Sequence, residues 1–122
     1  MISGQLVAVY FNLHKKCWSI QCQASKLVIG YARTIVLEDV NFRVSQAGRR
    51  RVLLEQKKNV HAKVYGALVS VDDTLTPSAD AVDVTYNPYR YDRFVTRHNE
   101  QPIASAEMAW LDCDSKHKVL AK

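Results

Sequence analysis

Residues that interrupt or staple a fold are scarce in this chain. Four glycines and three prolines among 122 residues leave no flexible linker at which to divide it, so residues 1–122 are expected to form a single domain. That length closes a hydrophobic core without covalent cross-links. Three cysteines, an odd number at spacings that make no disulfide framework, exclude a stapled scaffold. Cys17, Cys22 and Cys113 therefore read as free thiols of a reducing compartment. The first apolar run stops after Phe11 and follows no basic leader, too short for a signal-peptide core or a membrane span. A cytoplasmic protein with no membrane partner is expected.

Acid is also in short supply. With 17 basic and 12 acidic residues the formal charge is +5 and the isoelectric point about 9.2, which excludes an acidic mimic of nucleic acid and favours anionic partners. Phosphate-binding glycine loops, dinucleotide fingerprints and H-E-x-x-H metal motifs are absent from the sequence.

What is present is mostly β-type periodicity. From Gln5 to Asn12 both alternating sets are apolar, as in a strand covered on both sides, and Trp18, Ile20 and Cys22 alternate with Ser19, Gln21 and Gln23 after a polar turn at Asn12 to Lys16. These two runs predict an N-terminal hairpin. Leu27 to Ala32 and Ile35 to Val44 are further β-rich runs, and the phase of the second drifts at Glu38 and Asp39, where a bulge is expected. Asn59 to Ser70 places Val60, Ala62, Val64, Gly66 and Leu68 on one face and His61, Lys63 and Tyr65 on the other. Val71 to Asp80 reads as a polar loop, Val82 to Tyr86 as a strand, and Tyr89 to Gln101 as a connection. Ala106 to Trp110 and Val119 to Ala121 close the chain on a hairpin.

Between these strands, Ser45 can cap a helix over about Gln46 to Lys57, with Ala47, Leu53 and Leu54 as its buried side. The expected class is α+β: a curved, mainly antiparallel sheet of seven or eight strands packed on one short helix. The alternative is a partly closed small barrel with the helix inserted.

Charge is concentrated rather than scattered. From Arg43 to Lys63 there are seven basic residues against Glu55 alone, a local balance of +6 that leaves the rest of the chain slightly acidic. Arg49, Arg50, Arg51, Lys57, Lys58, His61, Lys63 and Tyr65 are the candidate partner-binding residues, a set of cations with one aromatic that could follow a nucleic-acid backbone. Consecutive arginines on a helix fan through about 100° per residue, so the three cannot share one ligand. The competing interpretation is a solvated face that maintains solubility.

A second candidate cluster interleaves Tyr86, Tyr89 and Tyr91 with Arg90, Arg93, Arg97 and His98. Aromatics among arginines can stack bases and hold phosphates, or they can pack over a sheet edge with their hydroxyls on loop backbone.

Two metal chemistries have weaker support in the residue pattern. Cys17 with Cys22 and Cys113 with His117 resemble zinc ligand pairs, but an odd separation on a strand sends the first pair to opposite faces. Glu55-Gln56-Lys57 with Asp39 could serve a metal-dependent nuclease, yet nothing in the sequence makes those carboxylates converge. No catalytic residue, metal or cofactor is assigned.

The segments G-Q-L-V-A-V-Y-F-N-L-H-K-K, R-R-R-V-L-L-E-Q-K-K-N-V-H-A-K-V-Y-G and V-T-Y-N-P-Y-R-Y resemble the small accessory proteins encoded by tailed bacteriophages. That resemblance implies action on host machinery by binding rather than by chemistry. The expected function is thus a non-enzymatic accessory protein whose basic face holds nucleic acid or the acidic surface of a host nucleic-acid-handling protein. A host-defence inhibitor such as an anti-CRISPR is its most specific form. Sequestration of a small anionic nucleotide and a metal-dependent nuclease are the alternatives, and a homodimer is compatible with all three.

Overall fold

The computed structural model describes residues 2–12, 14–44, 62–73, 76–85, 96–99, 101–114 and 117–121. Ten strands are present among them: β1 (Leu6–Asn12), β2 (Cys17–Cys22), β3 (Val28–Ala32), β4 (Thr34–Val44), β5 (Ala62–Val71), β6 (Val82–Val84), β7 (Thr96–His98), β8 (Gln101–Ile103), β9 (Ser105–Asp112) and β10 (His117–Leu120). Eight form one antiparallel sheet in the order β3-β2-β1-β5-β4-β9-β10-β6, while β7 and β8 make a separate two-stranded ribbon.

The N-terminal hairpin forms with Val9 opposite Ile20 and Asn12 opposite Cys17. Its turn needs no Asn-Gly pair, because Asn12 supplies the geometry. The Asn12 Oδ1 accepts the backbone N–H groups of His14 and Lys15 at 3.0 Å each, its carbonyl accepts that of Lys16 at 2.7 Å, and Lys16 takes the left-handed conformation at φ 55°. In β4 the expected bulge is present: the register against β5 shifts between Glu38 and Asn41, with Asp39 at φ 51°. Gly66 lies against this bulge, and a Cβ there would sit 2.9 Å from the Glu38 carbonyl oxygen. Only glycine lets the two backbones approach so closely.

The α+β expectation is overturned. No helix occurs among the described residues, the architecture is all-β, and the helix placed at Gln46 to Lys57 lies outside those residues. In an α+β fold a helix covers the apolar face of the sheet. The sheet covers it with its own far end instead. Val7, Val9, Trp18 and Ile20 from β1 and β2 share one core with Leu111 of β9 and Val119 of β10. The Trp18 ring meets His117 of β10 edge-on, with centroids 5.7 Å apart, although four strands intervene in the sheet order. The inserted-helix barrel is not formed either, since β3 and β6 are the two ends of an open sheet. The β7–β8 ribbon falls where sequence periodicity suggested only a connection. At three residues per strand it is too short to produce a recognisable alternation.

Candidate anion-binding face of the sheet

The inward parity of β1, β2 and β5 is fixed by Val7, Val9, Ile20 and Val64, all fully buried. The residues between them point to the opposite side. Register places Gln21 beside Ala8 and Ala8 beside Tyr65, which lies next to Asn41; Tyr31 pairs with Ser19, and Ser19 with Tyr10. The outer face of this half of the sheet is therefore built from tyrosines, amides and small side chains, with Lys63 among them.

Lys63 is half-buried and held in place. Its ammonium donates to Gln21 Oε1 at 2.8 Å and lies 5.7 Å from the centroid of the Tyr10 ring, within cation–π range. Gln21 is itself anchored by its Nε2, which donates to the Lys26 carbonyl at 2.7 Å. Burial, and then the positive charge of Lys26, push the Lys63 pKa down. Both causes disfavour the charged ammonium, and an anion arriving at this face would screen the Lys26 charge and offset the cost of burial by pairing with the ammonium. Farther along, Lys15 Nζ sits 4.7 Å from the centroid of the Tyr31 ring, so a second lysine–tyrosine pair extends the surface toward β3. Under it, the fully buried Ser19 hydroxyl accepts from Asn12 Nδ2 at 3.2 Å, tying the face to the hairpin turn.

Of the candidates named from sequence, Lys63 and Tyr65 belong to this face. Arg49, Arg50, Arg51, Lys57, Lys58 and His61 lie outside the described residues, as do Tyr86, Tyr89, Arg90, Tyr91 and Arg93. The backbone of Arg97 is in β7 opposite Pro102. His98 Nδ1 donates to the Asp83 carbonyl at 2.7 Å and its Nε2 faces the Asn99 amide at 3.3 Å, so this imidazole supports the β6 end of the sheet. In the sheet order β4, β9 and β10 separate it from Lys63. Sequence reasoning missed Tyr10, Gln21, Lys15, Lys26 and Tyr31. Their parity was legible, but joining them to Lys63 required knowing that β1 pairs with β5 as well as β2.

An acidic cleft lies farther along the sheet. A cleft of about 150 Å³ between β4, β9 and the loop at Pro77 is lined by Asp72, Asp73, Asp112, Ser70 and Trp110. Asp72 acts structurally there: its Oδ1 accepts the N–H groups of Arg33 at 2.8 Å and Thr34 at 3.1 Å. Asp112, Cys113 and Asp114 bring their ligand atoms within 4.8 Å of one another, but they do so in the β9–β10 turn, where Asp114 N–H donates to Asp112 Oδ1 at 3.1 Å. The zinc pairs do not converge, because Cys17 and Cys22 terminate opposite ends of β2 and His117 is buried in the core. Of the nuclease candidates, Glu55 and Lys57 lie outside the described residues and Asp39 forms the β4 bulge.

Two comparisons with known proteins agree with each other. The family model described as Mycobacterium phage L5 gene 82 protein matches residues 1–119. The gene 82 protein of Mycobacterium phage L5 is 32% identical over 114 residues, covering 86% of this chain and 88% of that protein. No solved structure matches.

Proposed function

The chain belongs to the family of the Mycobacterium phage L5 gene 82 protein, and from that premise we propose that this bacteriophage protein works by binding an anionic partner, in the first instance single-stranded nucleic acid, on the face centred on Lys63. The observation that carries the reading is the setting of Lys63. It is a half-buried cation beside the Tyr10 ring, pushed toward its neutral form by burial and by Lys26, and among the described residues no carboxylate pairs with it. Tyr65 and Tyr31 on the same outer side add surfaces on which bases can stack without sequence preference.

The biological setting that fits is the cytoplasm of an infected host, where the protein would act without chemistry of its own. An inhibitor of host defence, such as an anti-CRISPR, is one form of that activity. Nucleotide sequestration is less well supported, since the cleft beside β4 presents Asp72, Asp73 and Asp112, which repel phosphates.

Fluorescence anisotropy with a labelled single-stranded oligonucleotide tests the proposal, alongside pull-down from host lysate with and without nuclease treatment. Binding should fall about tenfold or more in Lys63→Glu, which exchanges attraction for repulsion at the centre of the face. Capture of a host protein that survives nuclease treatment and is lost in Lys63→Glu would identify a protein as the anionic partner. Unchanged binding of both kinds in Lys63→Glu would remove this face as the site.

A further inference from the structure

The two ends of the sheet differ in how they meet solvent. At the β6 end the strand is three residues long, Asp83 is paired with Lys118 at 2.8 Å, and the Asp83 carbonyl is occupied by His98. Short length, charge and a covering contact are the usual protections of a sheet edge. At the β3 end the strand is longer, at five residues, and carries no charge within its own run. The run Leu27-Val28-Ile29-Gly30-Tyr31-Ala32 has no charge and no proline, and Leu27, Val28, Ile29 and Tyr31 are between 37% and 67% exposed. One side of its backbone carries no neighbouring strand among the described residues.

Basic residues bracket this apolar edge. Lys26 precedes it, Arg33 follows it, and both are exposed, while Lys15 lies over Tyr31. The bracket distinguishes between occupants. A second copy pairing antiparallel about Ile29 and Gly30 would bring Lys26 of each copy toward Arg33 of the other just beyond the strand ends, and like charges brought together across a strand pair are destabilising. A strand with an apolar centre and an acid at each end meets the same positions with attraction.

We propose that β3 is a docking edge at which an extended segment of a partner protein, apolar in the middle and acidic at both ends, adds as a ninth strand to the sheet. Main-chain hydrogen bonds would supply affinity, Val28, Ile29 and Tyr31 would contact alternate side chains, and Lys26 and Arg33 would set the register. The edge borders the Lys63 face and shares Lys26 and Tyr31 with it, but it binds through its backbone, so the proposal stands whether or not that face binds nucleic acid.

The test uses the full chain, isotope-labelled, and a synthetic peptide of alternating valine and threonine with aspartate at one end and glutamate at the other. A lysine-ended peptide of the same centre is the control. Addition of the acid-ended peptide should slow hydrogen exchange of the Leu27 to Ala32 amides, with about tenfold weaker binding of the control. The double variant Lys26→Glu/Arg33→Glu changes only exposed side chains, and it should reverse the preference between the two peptides. The proposal is overturned by exchange that neither peptide alters at millimolar concentration, or by equal affinity for both. It is also overturned by β3 protection that grows with protein concentration alone, which would assign the edge to a second copy.

Discussion

Trp18 and His117 come from opposite halves of the sheet and meet ring edge to ring face at an interplanar angle of 68°. Phe11 packs on the same indole at 5.6 Å and 82°, so Trp18 contacts two aromatic rings. The contact marks where the sheet folds back on itself. His117 is 4% exposed, and its Nδ1 accepts the Asp112 backbone N–H at 3.1 Å, which leaves the proton of the neutral ring on Nε2. This imidazole packs its ring on Trp18 and gives the Asp112 N–H an acceptor, closing both the core and the β9–β10 turn.

Acid should loosen the fold through that ring. Burial lowers the His117 pKa from 6.5 to about 4, only partly opposed by Asp112. A histidine with a depressed folded pKa contributes stability that is complete above its unfolded pKa and is lost as pH falls through 6.5 toward 4. The loss should amount to about 3 kcal/mol, read as a falling urea midpoint from pH 7 to pH 4. His117→Phe should flatten this part of the profile, starting from a lower plateau because the Asp112 N–H loses its acceptor. An unchanged slope in that variant would show that other groups control the acid transition.

Gly66 should not tolerate even one methyl group. The Cβ of Gly66→Ala would lie 2.9 Å from the Glu38 carbonyl oxygen and 3.2 Å from Leu37 Cβ, both parts of a paired strand with little freedom to move. A cost of about 1–3 kcal/mol is expected in equilibrium unfolding, the usual range for overpacking a core. Asp39→Gly is the informative companion. It relieves the left-handed conformation of the bulge and should be neutral or slightly stabilising.

Most of the strand pattern was legible in the sequence because its signal is local. Trp18 and Ile20 alternate with Ser19 and Gln21, the run from Gln5 to Asn12 is apolar on both parities as suits a strand with two neighbours, and the phase break at Glu38 and Asp39 announced the bulge. The class was misjudged because sheet curvature is not local. An apolar face needs a cover, and nothing in the order of residues says that β9 and β10 return to provide it in place of a helix. The candidate site was half legible for the same reason. Lys63 and Tyr65 share a face by period alone, whereas Tyr10, Gln21 and Lys26 join them only through the pairing of β1 with β5 and the turn after β2.

Cys22 should be the first thiol to react. Backbone N–H groups of Ser25 and Ala24 and the Ser25 hydroxyl stabilise its thiolate and bring its pKa to about 7, while burial, the largest influence on Cys113, pushes that thiol up. Brief iodoacetamide treatment at pH 7.5 followed by peptide mapping should find Cys22 modified well ahead of Cys113. Ser25→Ala removes the hydroxyl donor and should slow Cys22 labelling, leaving Cys113 unchanged. Equal rates for the two thiols would contradict this account of the turn after β2.

The Lys63 face should reveal the nature of its partner through salt. Each phosphate neutralised on a single strand releases condensed counterions and adds about −0.7 to the slope of log affinity against log salt. Lys63→Gln removes one cation while keeping a hydrogen-bonding side chain next to Gln21, so the slope should become shallower by about that amount. Tyr10→Leu should weaken binding with the slope unchanged, because it removes a ring and no charge. This separates two contributions that a single affinity would merge: the ammonium supplies the salt-dependent part and the aromatic surface the salt-independent part. A slope unaffected by Lys63→Gln would mean that the anion is held elsewhere on the chain, even if the oligonucleotide binds.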